Sequence, residues 1–233
     1  DGADEQSRRA ILDLLPDRDE PTTLFEAERI AEEAAARALA WLRSEGYYAA
    51  TVTPEASEDP PSARRVIDLG RRFTFEAPEV IWTGEAPDAN TNRDVTRALS
   101  EVERGAPARA APVLSAEANA LAALQAAGYA NASSGERRVI VDHATARVAP
   151  QYRFDAGAVT RLGNVSALPG DHFRPSFIAN LQNWDEGELY SPQALQQLRR
   201  DLTSTGAVSL ATTRLEPPDA MGVSDVVVEV EPA

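Results

Sequence analysis

The stretch LRSEGYYAATV, residues 42–52, combines the end of an amphipathic helix, a glycine that stops the helix and a strand led by aromatic residues. Related phrases occur twice more, as LQAAGYANAS at 124–133 and LTSTGAVSLA at 202–211. Their glycines, Gly46, Gly128 and Gly206, recur at intervals of about 80 residues, and a fixed interval is the signature of a repeat protein. The sequence therefore predicts three modules.

A second pair of phrases keeps the same interval. RRFTFEAPEVIWTG at 71–84 aligns with QYRFDAGAVTRLGN at 151–164, which pairs Phe73 with Tyr152 and Gly84 with Gly163. Both phrases are predicted to begin a module, so we place the modules at 1–72, 73–151 and 152–233. The first module contains no candidate for its leading strand, and a chain that begins with Asp1 indicates a processed or excised segment.

Periodicity and capping signals predict the elements of each module. Thr23 and Glu26 form a capping box that opens a long helix, and Ser191 with Pro192 opens the last one. The predicted helices span 5–15, 23–44, 93–102, 111–127 and 175–181, and the last one begins at 191. The predicted strands span 47–53, 63–69, 75–83, 137–141, 145–149, 152–162, 207–215 and 226–230, and PEASEDPPS at 54–62 is predicted to be a polar turn.

This order predicts an α+β fold of three tandem β-α-α-β-β modules, each a three-stranded mixed sheet covered by two helices. In each sheet the first and last strands are expected to be parallel, with the last strand central and the penultimate strand at an edge. The apolar helical faces are predicted to be Ala31, Ala35, Ala38, Leu39 and Leu42; Leu114, Ala118, Leu121 and Leu124; and Leu195, Leu198 and Leu202. Joints without Gly/Ser linkers predict an elongated rod.

Composition excludes several classes of function. The formal net charge of −14 disfavours nucleic acid and anionic membranes as partners and predicts a monomer. There is no cysteine, and the two histidines, His143 and His172, have no G-x-S-x-G nucleophile signature beside them. NWDEGE at 183–188 lacks calcium-loop spacing, and glycine-rich phosphate loops are absent. We therefore predict no catalytic, metal or cofactor site, and expect that the chain is not an enzyme.

The three glycine phrases, the strand YRFDAGAVTRLGN and the helix EGELYSPQALQQLRRDL resemble POTRA (polypeptide-transport-associated) repeats of the BamA/TamA outer-membrane assembly superfamily. The resemblance implies a scaffold on the periplasmic face of the outer membrane of a Gram-negative bacterium. Its implied partners are unfolded outer-membrane protein clients and autotransporters, an inner-membrane-anchored, periplasm-spanning protein of the TamB kind, and a C-terminal β-barrel outside this segment. A POTRA module of a division or two-partner secretion assembly is the alternative.

The candidate partner-binding surface is the unpaired edge strand of a module, because free main-chain groups can accept an extended client as an added strand. The alternative is that neighbouring elements cover these edges. The candidate residues are Arg138, Val139, Ile140 and Val141 in the second module and Ala207, Val208, Ser209 and Leu210 in the third, with Leu195 and Leu198 as the wall of an adjoining groove.

Aromatic residues near the helix stops are a further expectation. Tyr47, Tyr48 and Tyr129 are predicted to be core residues. Trp82 is expected under helices or at a joint, and for Trp184 joint packing and partner contact remain equally open.

Overall fold

The computed structural model describes residues 5–13, 20–168 and 174–233. Residues 14–15 of the first predicted helix and His172 lie outside these ranges. The described α-helices are α1 Glu5–Asp13, α2 Leu24–Ser44, α3 Ala89–Ala98, α4 Ala110–Ala126, α5 Pro175–Ala179 and α6 Pro192–Ser204. The described strands are β1 Thr51–Glu58, β2 Pro61–Asp68, β3 Thr74–Phe75, β4 Glu79–Trp82, β5 Ser133–Ser134, β6 Arg138–Asp142, β7 Arg147–Asp155, β8 Arg161–Ala167, β9 Glu188–Leu189, β10 Val208–Leu215 and β11 Val223–Pro232.

The described residues form two compact units. The first contains the chain up to Glu79 together with Leu99–Ala116 and Arg137–Tyr152, and the second contains Val80–Ala98, Glu117–Glu136 and Arg153–Ala233. The residues of the predicted middle module are thus shared between the two units.

In the first unit, α2 packs on the hairpin of β1 and β2. Thr23 caps the helix by accepting a hydrogen bond from the N–H of Glu26 (3.2 Å), while the Glu26 carboxylate bonds to Thr22 rather than to Thr23. The predicted helical face is confirmed: its alanines and Leu42 are buried, and Leu39 packs against the same cluster.

The predicted turn at 54–62 is wrong. β1 and β2 pair without interruption from Thr51↔Asp68 to Glu58↔Pro61, so the turn is only two residues long. Pro54 and Pro61 lie within the strands. Among the described residues each of these strands has one neighbour, and a strand that is paired on one side only tolerates proline at its free edge.

The middle sheet is built around β7, which pairs with β3, β4, β5 and β6. β3 runs parallel to it, from Thr74↔Arg147, and β6 runs antiparallel. In this sheet the predicted parallel first and last strands and the central last strand are therefore confirmed. The predicted number of three strands per sheet is wrong, because the described sheets have two, five and four strands in chain order. The predicted strand at 75–83 is instead two short strands, β3 and β4, and Pro78, which lacks a main-chain donor, lies in the break.

One further strand prediction is wrong, and the predicted buried face of α4 is confirmed only at Leu124. The predicted strand at 152–162 does not exist: β7 continues through Tyr152 to Asp155, and β8 begins only at Arg161. On α4 the buried residues are Val113, Ala116, Ala120 and Leu124, whereas Leu114 is 57% exposed and Ala118 is exposed. Alanine on both sides of this helix removes the contrast from which a buried face is predicted.

The last sheet has the strand order β10-β11-β8-β9, with β11 antiparallel to β10 and parallel to β8. Ser191 caps α6 by accepting a hydrogen bond from the N–H of Ala194 (3.4 Å), and Leu195, Leu198 and Leu202 are buried against the sheet. The α6 prediction is confirmed.

All three repeat glycines have the left-handed conformation that a helix stop requires. Their φ angles are 96° at Gly46, 96° at Gly128 and 72° at Gly206. At the first two, the residue after the glycine donates its N–H five residues back, from Tyr47 to the carbonyl of Leu42 (2.9 Å) and from Tyr129 to that of Leu124 (3.1 Å). The helix stops that define the repeat are confirmed.

Candidate functional site

The predicted edge strand β6 pairs on one side only. It runs in unbroken antiparallel register with β7, from Arg138↔Gln151 to Asp142↔Arg147, and β7 is its only partner strand among the described residues. A regular edge of this kind presents a row of main-chain groups that another chain can pair with.

The direction of the main chain along β7 determines which groups of β6 are free. The carbonyl of Val148 accepts a hydrogen bond (2.8 Å) from the residue that follows β3, so it points away from β6. The main-chain N–H and C=O groups of successive residues point to alternate sides of a strand. Those of Ala149 therefore point toward β6, where Ala149 forms a hydrogen-bonded pair with Ile140. The N–H and C=O groups of Val139 and Val141 therefore point outward.

The side chains of β6 are accessible as well. Val139 is 41% exposed and Ile140 is 47% exposed. On β7 alternate residues are buried, which defines an outer face that carries Ala149 and Gln151, opposite Ile140 and Arg138. An open groove of about 570 Å³ lies on this outer face, lined by Glu76, Ile140, Asp142, Thr145, Arg147 and Ala149.

Charged side chains on the groove are fixed by their neighbours. Arg147 lies 3.7 Å from the Glu76 carboxylate and donates a hydrogen bond to the Thr74 hydroxyl (2.6 Å). At the hairpin end, hydrogen bonds from the hydroxyl and N–H of Thr145, and then from the N–H of Ala144, lower the pKa of Asp142. The groove therefore has an apolar part at Ile140 and Ala149, flanked by charges of both signs.

The second predicted edge, β10, is built differently. The register shifts between Val208↔Pro232 and Leu210↔Glu231, so Ser209 is an extra residue that forms a β-bulge. The bulge lets Val208 and Ala211, three residues apart, both face the core, where they are 3% and 6% exposed. Leu210, at 50% exposed, faces outward. A bulge disrupts the ladder that an incoming strand would extend.

Farther along β10 the main chain is regular. Glu216 donates its N–H to Asp225 of the neighbouring strand (2.9 Å), so by alternation the main-chain groups of Ala211 and Thr213 point outward. Arg199 of α6 donates a hydrogen bond to the Thr213 hydroxyl (2.8 Å). This part of β10 was not predicted as a site, and neither were Glu76, Arg147 and Ala149 of the groove. The register between β6 and β7 places Arg147 and Ala149 opposite Asp142 and Ile140. Deriving that register from the sequence would have identified both residues.

Several predicted residues lie in the core instead of on a surface. Leu195 is 7% exposed and Leu198 is fully buried, so neither forms an open wall beside β10. Trp184 is 6% exposed and donates its indole N–H to the carbonyl of Gly163 (2.8 Å). Of the two readings of Trp184, joint packing or partner contact, neither holds, because the ring belongs to the core of the last sheet.

Of the other aromatic residues singled out in the sequence, Tyr129 is 7% exposed, whereas Tyr47, Tyr48 and Trp82 are only partly buried. Tyr48 donates its hydroxyl to the carbonyl of Ala108 (3.2 Å), and burial raises its pKa. Tyr47 lies beneath the guanidinium of Arg72, 5.3 Å from its ring centre. Trp82 is half-buried on β4, and its ring centre lies 6.0 Å from that of Phe154.

Histidine and acidic side chains of the described residues do not form a metal-binding group. His143 is exposed, and its ring contacts Phe73 at 5.4 Å. Within residues 5–13, 20–168 and 174–233, no group of three or more His, Cys, Asp or Glu side chains is placed to hold a metal ion. No described helix combines the length and apolarity needed to cross a membrane.

Neither a protein-family profile nor a curated protein matches the sequence. Solved structures do match. POTRA domains 3–5 of BamA from Haemophilus influenzae superpose with a TM-score of 0.57 at 18% identity, over 86% of this chain and 79% of that one. BamA from Haemophilus ducreyi lacking POTRA domains 1–3 gives a TM-score of 0.55 at 15% identity, over 69% of this chain and 30% of that one. The chain therefore has the fold of POTRA domains, as the sequence resemblance predicts.

Proposed function

We propose that this chain is a periplasmic scaffold of an outer-membrane translocation and assembly protein, and that it binds unfolded outer-membrane proteins by adding their strands to β6. The observation that carries the proposal is the open edge at Val139 and Val141, whose N–H and C=O groups point outward beside an accessible groove. The POTRA fold, with BamA among its structural matches, supports an assembly role.

Strand addition fits the chemistry of such clients. Strands of outer-membrane barrels alternate apolar and polar residues, and an added strand places every second side chain on the same face of the sheet. On the outer face these side chains meet Ile140 and the groove, so apolar client residues gain a contact there. Main-chain hydrogen bonds supply affinity with little dependence on the exact client sequence.

The finer parts of the proposal follow the sequence resemblance. We place the chain on the periplasmic face of a Gram-negative outer membrane, in a TamA-like protein that includes autotransporters among its clients and carries a C-terminal β-barrel. A TamB-like partner anchored in the inner membrane completes the assembly. The formal charge of −14 supports a protein partner rather than a nucleic acid, and the scaffold itself is proposed to act as a monomer without a cofactor. We keep the modules at 1–72, 73–151 and 152–233 as part of this proposal.

The test is removal of one outward donor. Val139→Pro deletes an N–H that does not bond to β7, and an edge strand accepts proline at such a position. We expect it to weaken binding of a fluorescent ten-residue peptide with alternating apolar and polar residues by roughly tenfold or more, because a net hydrogen bond contributes about 1 kcal/mol and the ring also obstructs pairing.

Val139→Thr is the matched control, because it keeps the donor and the β-branched shape. Both variants are first compared with the parent by far-UV circular dichroism and urea unfolding. Val139→Thr should bind within about twofold of the parent. If the proline and threonine variants bind the peptide equally well, β6 is not the binding edge.

A further inference from the structure

Two helix stops in this chain serve as joints to a following strand, and they are built alike. At the first, the carbonyl of Gly46 accepts the N–H of Phe73 (2.8 Å), the residue immediately before β3. The carbonyl of Phe73 in turn accepts the N–H of Ala108 (2.9 Å), two residues before α4. A Cβ placed on Gly46 would lie only 3.2 Å from the carbonyl oxygen of Ala108. The glycine thus allows the close approach of these backbones.

The second joint repeats this arrangement group for group. The carbonyl of Gly128 accepts the N–H of Thr160 (2.9 Å), the residue immediately before β8. The carbonyl of Thr160 accepts the N–H of Tyr190 (3.0 Å), two residues before α6. A Cβ placed on Gly128 would lie 2.5 Å from Leu189 Cδ1. Thr160 is 2% exposed, as Phe73 is 1% exposed at the first joint.

The third helix stop has the acceptor without the donor. Gly206 keeps the left-handed conformation, yet apart from its two chain neighbours no described residue comes within 4 Å of a Cβ placed on it, and none of the main-chain donors described bonds to its carbonyl. The N–H of Ala207 turns to the Thr205 hydroxyl (3.3 Å) instead of closing the helix as Tyr47 and Tyr129 do. At Gly206 the described neighbours would therefore leave room for a side chain, so close packing does not explain the glycine.

We propose that Gly206 is a third joint, which docks the leading strand of a further module of the same fold through one N–H donated to the Gly206 carbonyl. The occupant is defined by the two joints on this chain: an extended segment whose first buried residue donates its N–H and accepts one from the module's second helix. The proposed joint depends only on the hydrogen bonds seen at Gly46 and Gly128, so client binding at β6 neither supports nor contradicts it.

An extended chain tests the proposal. β3 pairs with β7 at Arg147, and β8 pairs with β11 at Val223. Asp155 at the end of β7 therefore corresponds to Glu231 on β11. A second copy of residues 157–233, joined after Pro232, places its Thr160 relative to Gly206 as the first Thr160 is placed relative to Gly128. We expect the amide of the second Thr160 to be protected from hydrogen exchange within about tenfold of the first. Gly206→Val in this chain should lower the protection of the second amide by about tenfold or more and leave the first unchanged.

The control is Gly128→Val in the same chain, which should lower protection of the first Thr160 amide and not the second. A second Thr160 amide that exchanges freely, while amides of the β11 copy are protected, would overturn the proposal. If the added copy does not fold, an extension by residues 157–163 alone is examined through the carbonyl chemical shift of Gly206. A shift unchanged from that of the parent chain then overturns it too.

Discussion

The middle and last sheets contain the same two features in opposite states. In the middle sheet the edge strand β6 is regular and its Val139 and Ile140 are accessible, while the helix stop at Gly128 is enclosed. In the last sheet the edge strand β10 is bulged at Ser209 and Val208 is buried, while the helix stop at Gly206 is open. A repeated sequence phrase thus preserves the fold, whereas each copy can present a different surface to partners.

The largest expected difference concerns the two glycines. Gly128→Val forces a β-branched residue into the left-handed conformation and against Leu189, so strain and overlap together should cost about 3 kcal/mol or more. Gly206→Val meets the strain without the overlap and should cost about 1 kcal/mol. Urea unfolding monitored by circular dichroism measures both. Equal costs at the two positions would mean that the enclosure of Gly128 has no energetic weight.

The next difference separates the two edges. Val208→Asp places an unpaired carboxylate in the core of the last sheet and should lower the free energy of unfolding by about 3 kcal/mol. Val139→Asp, at an accessible position, should change it by about 0.5 kcal/mol or less. Comparable losses in the same urea titration would show that β6 is covered.

The β-bulge itself can be removed. Deleting Ser209 restores a residue-for-residue register with β11. Val208 then lies two residues before Ala211, and since alternate residues share a face, both side chains stay in the core. We expect the free energy of unfolding to change by about 1 kcal/mol or less, because no buried side chain leaves the core. The shortened strand should also resemble β6 and bind the alternating peptide more tightly than the parent does when β6 carries Val139→Pro. No gain in binding would show that the bulge is not what closes this edge.

Local signals in the sequence predicted most of the fold. Caps at Thr23 and Ser191, the helix-ending glycines and the order of strands fixed the elements and their pairing, because each depends on residues close in the chain. Boundaries at proline were harder. Pro54 reads as a turn residue, yet it lies in a strand because the neighbouring edge is free, which is a property of the tertiary structure.

The second repeat phrase shows why register was missed. Its alignment paired Phe73 with Tyr152, but the joints pair Phe73 with Thr160, since Tyr152 belongs to the end of β7 and its side chain is buried there. Aromatic character alone does not distinguish the last strand of one sheet from the first strand of the next.

Both candidate edges were predicted as strands, but the difference between the regular β6 and the bulged β10 was not predicted. The bulge at Ser209 and the hydrogen bond from Arg199 depend on cross-strand and helix–strand contacts. A sequence of small residues such as AVSLATT does not contain that information.

The smallest expected effect concerns pH at the hairpin that joins β6 to β7. Hydrogen bonds from Thr145 and Ala144 lower the pKa of Asp142 in the folded chain, so its ionised form stabilises the hairpin. That contribution is fully present above the unfolded pKa of about 3.9 and is lost as the pH falls through the lower folded pKa. Asp142→Ala should therefore lower the urea midpoint slightly at pH 6, and the difference from the parent should shrink as the pH is lowered from 4 toward 2.5. Hydrogen bonds from Thr91 lower the pKa of Asp88 in the same way, but Asp88 lies outside this hairpin. Asp88→Ala is therefore the control: over the same pH range it should leave the hydrogen exchange of the β6 amides unchanged. A midpoint difference for Asp142→Ala that stays constant over this pH range would show that the carboxylate charge does not hold the hairpin, and the regular register of β6 would then rest on its pairing with β7 alone.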